Sequence, residues 1–331
     1  MLHVLNGEST AQTLKQTRLA GEHLAWKEAL IWGPTPAKTD LSEWCRLRAD
    51  FLAGSNALDV DAEQCFADLM QQESVLGALA KHDEVVFWFE FDLFCQLNLI
   101  YLLGKLRRQN LASTKLSLIC IGEFPGIHDF RGLGQLNAEQ LLSLFPVRQP
   151  VTPEQIELAE RAWNACCSSN PREIELLLAG DTSALRFLRP ALGLHLRRFP
   201  SVRNGLGHME QMALDCIARG VTRFSEIFKE WSAAEPGYGL GDAQLWDVLV
   251  RMVECRRPLL RLDGNRSHCF SDHRQYLNHV AFTLTETGQA VVAGKRDLWE
   301  VEPAELWLGG VRLVPPNPRW RWDEDQVALV G

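Results

Sequence analysis

The chain has no run approaching the roughly 18 uninterrupted apolar residues that cross a bilayer, and its nine cysteines contain no CxxC pair. The first absence argues against a membrane-spanning helix. The second, with an odd cysteine count and mostly apolar or helical surroundings, points to reduced core thiols rather than a disulfide framework or paired zinc ligands. GxGxxG, P-loop, GxSxG, HExxH and SxxK signatures are missing, so dinucleotide, nucleophilic-hydrolase and metalloprotease readings have no motif beneath them. Positive charge is scarce too. With 34 Lys and Arg against 42 Asp and Glu, the net charge is −8, and nucleic acid or anionic membrane would be repelled by most of the surface. The opening MLHVLNGEST has no basic region leading into an apolar run, so a cytosolic protein is the simplest expectation. No internal repeat or low-complexity tract occurs.

At 331 residues, 46% of them hydrophobic and 23% charged, the chain has material for substantial cores and for two domains. The pattern predicts an α/β protein: an N-terminal Rossmann-like, mostly parallel sheet over residues 1–147, an α-helical connector over 148–200, and a winged-helix-like domain with a C-terminal β-hairpin over 201–331. Strand and helix signals alternate through the first half. Strands are expected at Leu2–Leu5, His23–Ala29, Val85–Phe91 and Leu116–Ile121. Ser9 or Thr10 is expected to cap the first helix, and one helical stretch is expected from Leu41 to Ala80. Asn137/Gln140, Thr152/Gln155 and Asn170/Glu173 have the spacing of helix-capping pairs, with Pro153 and Pro171 at first-turn positions. Pro146, Pro150 and Pro153 mark a boundary. Beyond Gly205, three helices followed by strand-like PLLRL and AFTLTETGQAVVAG suggest the winged helix, and the Trp-rich last thirty residues suggest a hairpin.

The chemistry concentrates near the third strand. In VVFWFEFDLFCQL, alternation places Val86, Trp88, Glu90 and Asp92 on one strand face, and two carboxylates amid apolar sequence demand a partner, a proton or a cation. They serve either as an acid/base pair, as ligands for a divalent cation such as magnesium, or as acceptors for ligand hydroxyls. Alternatively, Asp92 caps the next helix and Glu90 pairs with Lys27 or Arg131. Ligand crevices of parallel sheets form beyond the carboxyl ends of the strands, which gathers Asn6, Gly7, Glu8 and Ser9 from the first strand and Lys27 from the second. Glu90, Asp92 and Gln96 follow from the third, and Glu123, His128 and Arg131 from the fourth. His3, inside the first strand, is placed to reach the same region, with Glu90 and Asp92 as the other chemical groups. Lys27 and Arg131 would orient an anionic part of a ligand.

Two further clusters read as structural. His268, Cys269, Asp272 and His273 have zinc-ligand chemistry without its paired spacing, and suit a solvated loop. Arg186 to Trp231 holds eight Lys and Arg against four Asp and Glu, a local excess that favours nucleic acid. The third helix of the winged-helix region, however, carries Asp242, Asp247 and Glu254 against Arg251, and an acidic helix is repelled by a duplex. Nucleic acid is therefore a disfavoured partner and a small molecule the favoured one, with oligomeric state left open.

The motifs His3 to Thr10 (HVLNGEST) and Phe87 to Leu97 (FWFEFDLFCQL) resemble an uncharacterised bacterial family classed as a domain of unknown function. Its members carry a histidine, an apolar pair and N-G-[DE]-S-T, and later an apolar-W-F-E-x-D-L-[FY]-x-Q-L segment. The resemblance extends through GEFPG, GLGQL and RFPSVRNGLGHME to the closing WLGG and WRWD. It brings no assigned activity, and Glu8 stands where the family more often has Asp. Together these readings predict a carboxylate-lined site for a nucleotide-like or phosphorylated small molecule, with phosphoester or glycosyl-bond chemistry favoured over redox. The alternatives are a ligand-sensing transcriptional regulator and a protein-binding adaptor.

Overall fold

The computed structural model describes residues 1–37, 39–55, 57–264, 279–301 and 303–331; His268, Cys269, Asp272 and His273 lie outside the described residues. Strand β1 (Leu2–Asn6) turns at Gly7 into α1 (Glu8–Lys15), and β2 (Glu22–Trp26) returns beside β1. A two-residue strand β3 (Gly33–Pro34), then α2 (Leu41–Ala53) and α3 (Ala62–Leu76), lead to β4 (Glu84–Glu90), α4 (Leu93–Leu106) and β5 (Lys115–Ile121). Helix α5 (Ala138–Leu144) and the short β6 (Gln149–Pro150) follow. The sheet order is β2-β1-β4-β5-β6, parallel except at β6.

A parallel strand covered on both faces is apolar on both faces, and β4 shows why. Val85, Phe87 and Phe89 enter one core with Leu2 and Val4, while Val86 and Trp88 enter a second with Leu5 and the α1 residues Ala11 and Leu14. Helix α4 is apolar around most of its circumference because it too is covered twice, by the sheet and by α6 (Pro153–Cys167). Two of the expected capping boxes form, Asn137 with Gln140 on α5 and Thr152 with Gln155 on α6.

The remaining elements are α7 (Arg172–Ala179), α8 (Leu188–Leu196), α9 (His208–Ala218), α10 (Phe224–Ala234) and α11 (Asp242–Glu254). Strands β7 (Leu260–Asp263) and β8 (Ala281–Leu284) pair antiparallel, α12 (Glu286–Val292) follows, and β9 (Leu306–Gly309), β10 (Val311–Leu313), β11 (Arg321–Asp323) and β12 (Ala328–Val330) end the chain. The larger core runs continuously from Leu2 to Leu329. No described helix is long and apolar enough to cross a membrane.

Several sequence expectations need correction. The stretch Leu41–Ala80 is two helices, each started by an aspartate: Asp40 accepts the Ser42 and Glu43 amides, and Asp61 accepts that of Gln64. Gly7, not Ser9 or Thr10, occupies the N-cap of α1, and Pro171 rather than Asn170 holds that position on α7. The AFTLTETGQAVVAG stretch is strand only to Leu284, because the Thr285 hydroxyl accepts the Gly288 amide and starts a helix. The Trp-rich end is two separate ribbons, β9–β10 and β11–β12, and β9 also pairs parallel with β3 from the first half.

Two polar contacts fix the β2–β3 connection. Arg48 and Glu28 form a fully buried ion pair at 2.6 Å, and the same guanidinium donates to the carbonyls of Ala29, Trp32 and Pro34. Trp32 in turn donates its indole N–H to Asp247 of α11 at 3.1 Å. That bond ties the α/β half to the last of the three consecutive helices.

Candidate functional site

The chain leaves β1 toward β2 on one side and returns to β4 on the other. The helices that follow these two central strands lie on opposite faces, α1 against the second core and α4 against the first. Connections that diverge in this way leave a crevice beyond the carboxyl ends of the two strands. A cavity of about 440 Å³ lies there, lined on its sheet side by Asn6, Gly7, Glu8, Ser9, Glu90, Asp92 and Cys95. Gly7 makes the turn possible, since its φ of 88° belongs to glycine. With glycine at the N-cap, no side chain caps the first amides of α1.

Glu90 ends β4 and is buried. Its Oε1 accepts the Leu133 amide at 2.6 Å, and its Oε2 accepts the Cys95 thiol proton. Asp92 lies beyond the end of the strand and caps α4, accepting the Cys95 amide at 2.8 Å. The two acids therefore meet because a strand end and a helix cap are adjacent, not because both point from one pleat. Burial first, and then the neighbouring Asp92 charge, push the Glu90 carboxyl up to about 8. Burial also raises Asp92, to about 6. Burial followed by the two carboxylates holds the Cys95 thiol well above its usual range, so it stays a hydrogen-bond donor. Neither Glu90 nor Lys27 nor Arg131 forms the ion pair considered from sequence. Lys27 pairs with Glu8 at 3.3 Å on the surface, and Arg131 donates to Ser232 at 3.3 Å.

Behind the acids runs a fixed amide chain. Asn98, fully buried in α4, accepts from the Trp26 indole and donates to Asn6 Oδ1 at 2.9 Å. Asn6 donates to Cys95 Sγ at 2.7 Å. Glu90, Asp92 and Cys95 bring two carboxylate oxygens and a sulfur within 4.8 Å of one another. Such a donor set suits a transition metal better than magnesium, which prefers oxygen alone.

The opposite wall comes from far along the chain. Phe228, Trp231, Ser232 and Glu235 of α10 and its end, with Tyr238, Gly239 and Leu240, close the cavity. Gly239 has φ 66°, and an added Cβ would overlap the Asp92 carboxylate. Trp231 and Tyr238 direct their polar atoms away, to the carbonyls of Met209 and Leu194, leaving ring surface as lining. Arg131 and Pro236 also border an adjoining hollow of about 530 Å³ with Glu123 and His128.

Of the site residues expected from sequence, Asn6, Gly7, Glu8, Ser9, Glu90, Asp92 and Arg131 line one cavity. Glu123 and His128 line the neighbouring hollow. Three do not reach either. His3 is buried beside His23 and accepts from Trp88, and burial lowers it to about 4. Lys27 is turned to Glu8, and Gln96 donates inward to the Glu90 carbonyl. Cys95, Asn98 and the aromatic wall were not anticipated. Cys95 was detectable as the third helical residue after a capping aspartate, and Asn98 as one of two amides, with Gln96, in an otherwise apolar stretch of helix. The residues from Phe228 onward carry no local signal of where they dock. No protein-family model matches the chain, and neither does any curated protein.

Proposed function

We propose that this Rossmann-like α/β protein binds a small molecule in the cavity at the ends of β1 and β4, and acts on it by proton transfer. One observation carries the reading: two uncompensated carboxyls, Glu90 and Asp92, are buried at the floor of a recess large enough for a nucleoside-sized molecule. Displaced acid strengths are what general acid–base chemistry requires. Glu90 is the proton donor near neutral pH, and Asp92, the stronger acid, is the acceptor. Asn6 and Asn98 hold the pair in place through Cys95. The uncapped α1 amides favour a phosphate, whereas Asp92, with no cation beside it, opposes one inside the cavity. A nucleoside-like body therefore fits the lining better than a phosphorylated one.

The test is a thermal-shift panel of nucleosides, nucleotides, sugar phosphates and divalent metals on wild type, Glu90→Gln and Asp92→Asn. A ligand at about one hundred times its Kd stabilises the folded state by roughly 2.7 kcal/mol, so wild type is expected to respond and both variants to respond less. Equal responses in all three proteins remove the assignment, as does silence both across this panel and toward charged aromatic probes of similar size.

A second reading, a DNA-binding regulator, draws on the order α9, α10, α11, β7, β8 and on the pairing of Thr222–Phe224 with Val280–Phe282, the connectivity of a winged helix. Against it, Leu245 to Val250 of α11 are all buried, and Asp247 is held by Trp32. The middle of α11 therefore has no face to offer a groove, and its partly exposed residues lie toward its two ends. Mobility shift at low salt is expected to show no complex, and salt-sensitive binding lost on changing Arg197, Arg198 and Arg203 would reverse this preference.

A further inference from the structure

Buried carboxylates in proteins are paired with a cation, hydrogen-bonded throughout, or neutralised by a proton, because a lone buried charge is costly. The molecule obeys this elsewhere. Glu28 has Arg48, Glu73 has Lys105, and Glu84 has Arg148. Around the cavity, Glu8 is matched by Lys27, and Glu235 by Arg197 at 3.7 Å. Glu90 and Asp92 have no such cation: a proton on Glu90 and the amides of Leu133 and Cys95 stand in its place. Both are more than nine-tenths buried and line the cavity, and among the described residues neither has a cation within ion-pair reach. The one guanidinium of the lining, Arg131, is turned to Ser232. The wall facing the acids carries Phe228 and Trp231, and aromatic faces attract cations.

Building on the site proposed above, we infer that its ligand is an organic cation, an ammonium or amidinium group carried on an apolar or aromatic body. The charged nitrogen lies against Asp92, the stronger acid, beside Glu90, and the body lies along Phe228 and Trp231. The ligand thus brings the positive charge that no side chain of the lining sets against these acids. A cavity of about 440 Å³ is far larger than a bare metal ion needs, and its aromatic side offers a metal nothing. Burial shields the contact from bulk screening, so binding should weaken only modestly with salt.

The experiment is isothermal titration of the full chain with matched probes that share a body and differ in charge. These are tryptamine and indole-3-propionate, phenethylamine and phenylacetate, and benzamidine and benzoate, with Co²⁺ and Mg²⁺ as separate arms. Each cation is expected to bind at least about tenfold more tightly than its anionic partner, a margin that Glu90→Gln reduces. Ser232→Trp, which keeps both acids and fills the mouth of the cavity, should abolish binding. Anions binding as well as cations, cation binding that survives Ser232→Trp, or a response to metal ions alone would each overturn the inference. Anion binding that Ser232→Trp abolishes would still leave the small-molecule site standing. Silence toward these probes and toward the nucleoside panel would remove both.

Discussion

Glu90 makes stability depend on pH in a direction opposite to that of an ordinary surface glutamate. Its carboxyl is raised from 4.5 to about 8 in the folded chain, so the unfolded chain gives up the proton first and folding loses stability as pH rises through that interval. Glu90→Gln keeps an acceptor for the Leu133 amide and has no proton to lose. Its stability relative to wild type should therefore grow with pH, by roughly 1–3 kcal/mol at the alkaline end, a range that allows for coupling to Asp92. Urea denaturation across the interval checks this, and two parallel pH curves would show that the buried carboxyl is not strained. Asp92 will behave differently. Removing its side chain also removes the cap of α4, a loss of about 1 kcal/mol that is independent of the acid pair.

At the scale of elements, the β2–β3 connection depends on one buried ion pair. Arg48→Met would strand the Glu28 carboxylate and three carbonyls, and a destabilisation of about 3–5 kcal/mol is expected by chemical denaturation; a change below about 1 kcal/mol would mean that the loop holds itself. The same scale explains what sequence reading could reach. Strands β1, β4 and β5 were legible as largely apolar runs, whereas the edge strand β2, with only Leu24 and Trp26 buried, ends at Trp26 rather than at the expected Ala29; the caps of α5 and α6 were legible because their Asn-to-Gln and Thr-to-Gln spacing has a direct hydrogen-bond meaning. The parallel sheet in turn located the crevice, and with it Asn6 to Ser9, Glu90 and Asp92. What was illegible is tertiary. His3 was placed near the site by sequence adjacency, yet it sits toward the other end of β1, three residues before the Asn6 that reaches the cavity. Nothing in FSEIFKEWSAAEPGYG shows that it folds back more than one hundred residues to cover α4.

At the scale of the whole molecule, the first 147 residues do not supply their own cover. Leu97, Ile100, Leu103 and the rest of α4 are buried under α6 as well as on the sheet, and losing that cover exposes apolar surface that contributes about 25 cal/mol per Å². Residues 1–147 produced alone are expected to bind a hydrophobic dye and to melt without a sharp transition. A cooperative thermal transition for this fragment would show that the sheet and its own helices suffice.

The recess is built from both ends of a long stretch of chain, with its acids near residue 90 and its aromatic wall beyond residue 227. During translation the acids emerge first, facing open water and titrating like ordinary carboxylates. Glu90 is covered first, by Gly132 and Leu133, and Asp92 only when Gly239 has closed over it. The capacity to hold a guest thus arrives late in synthesis, and a bound guest would certify that the two distant segments of one chain have found each other.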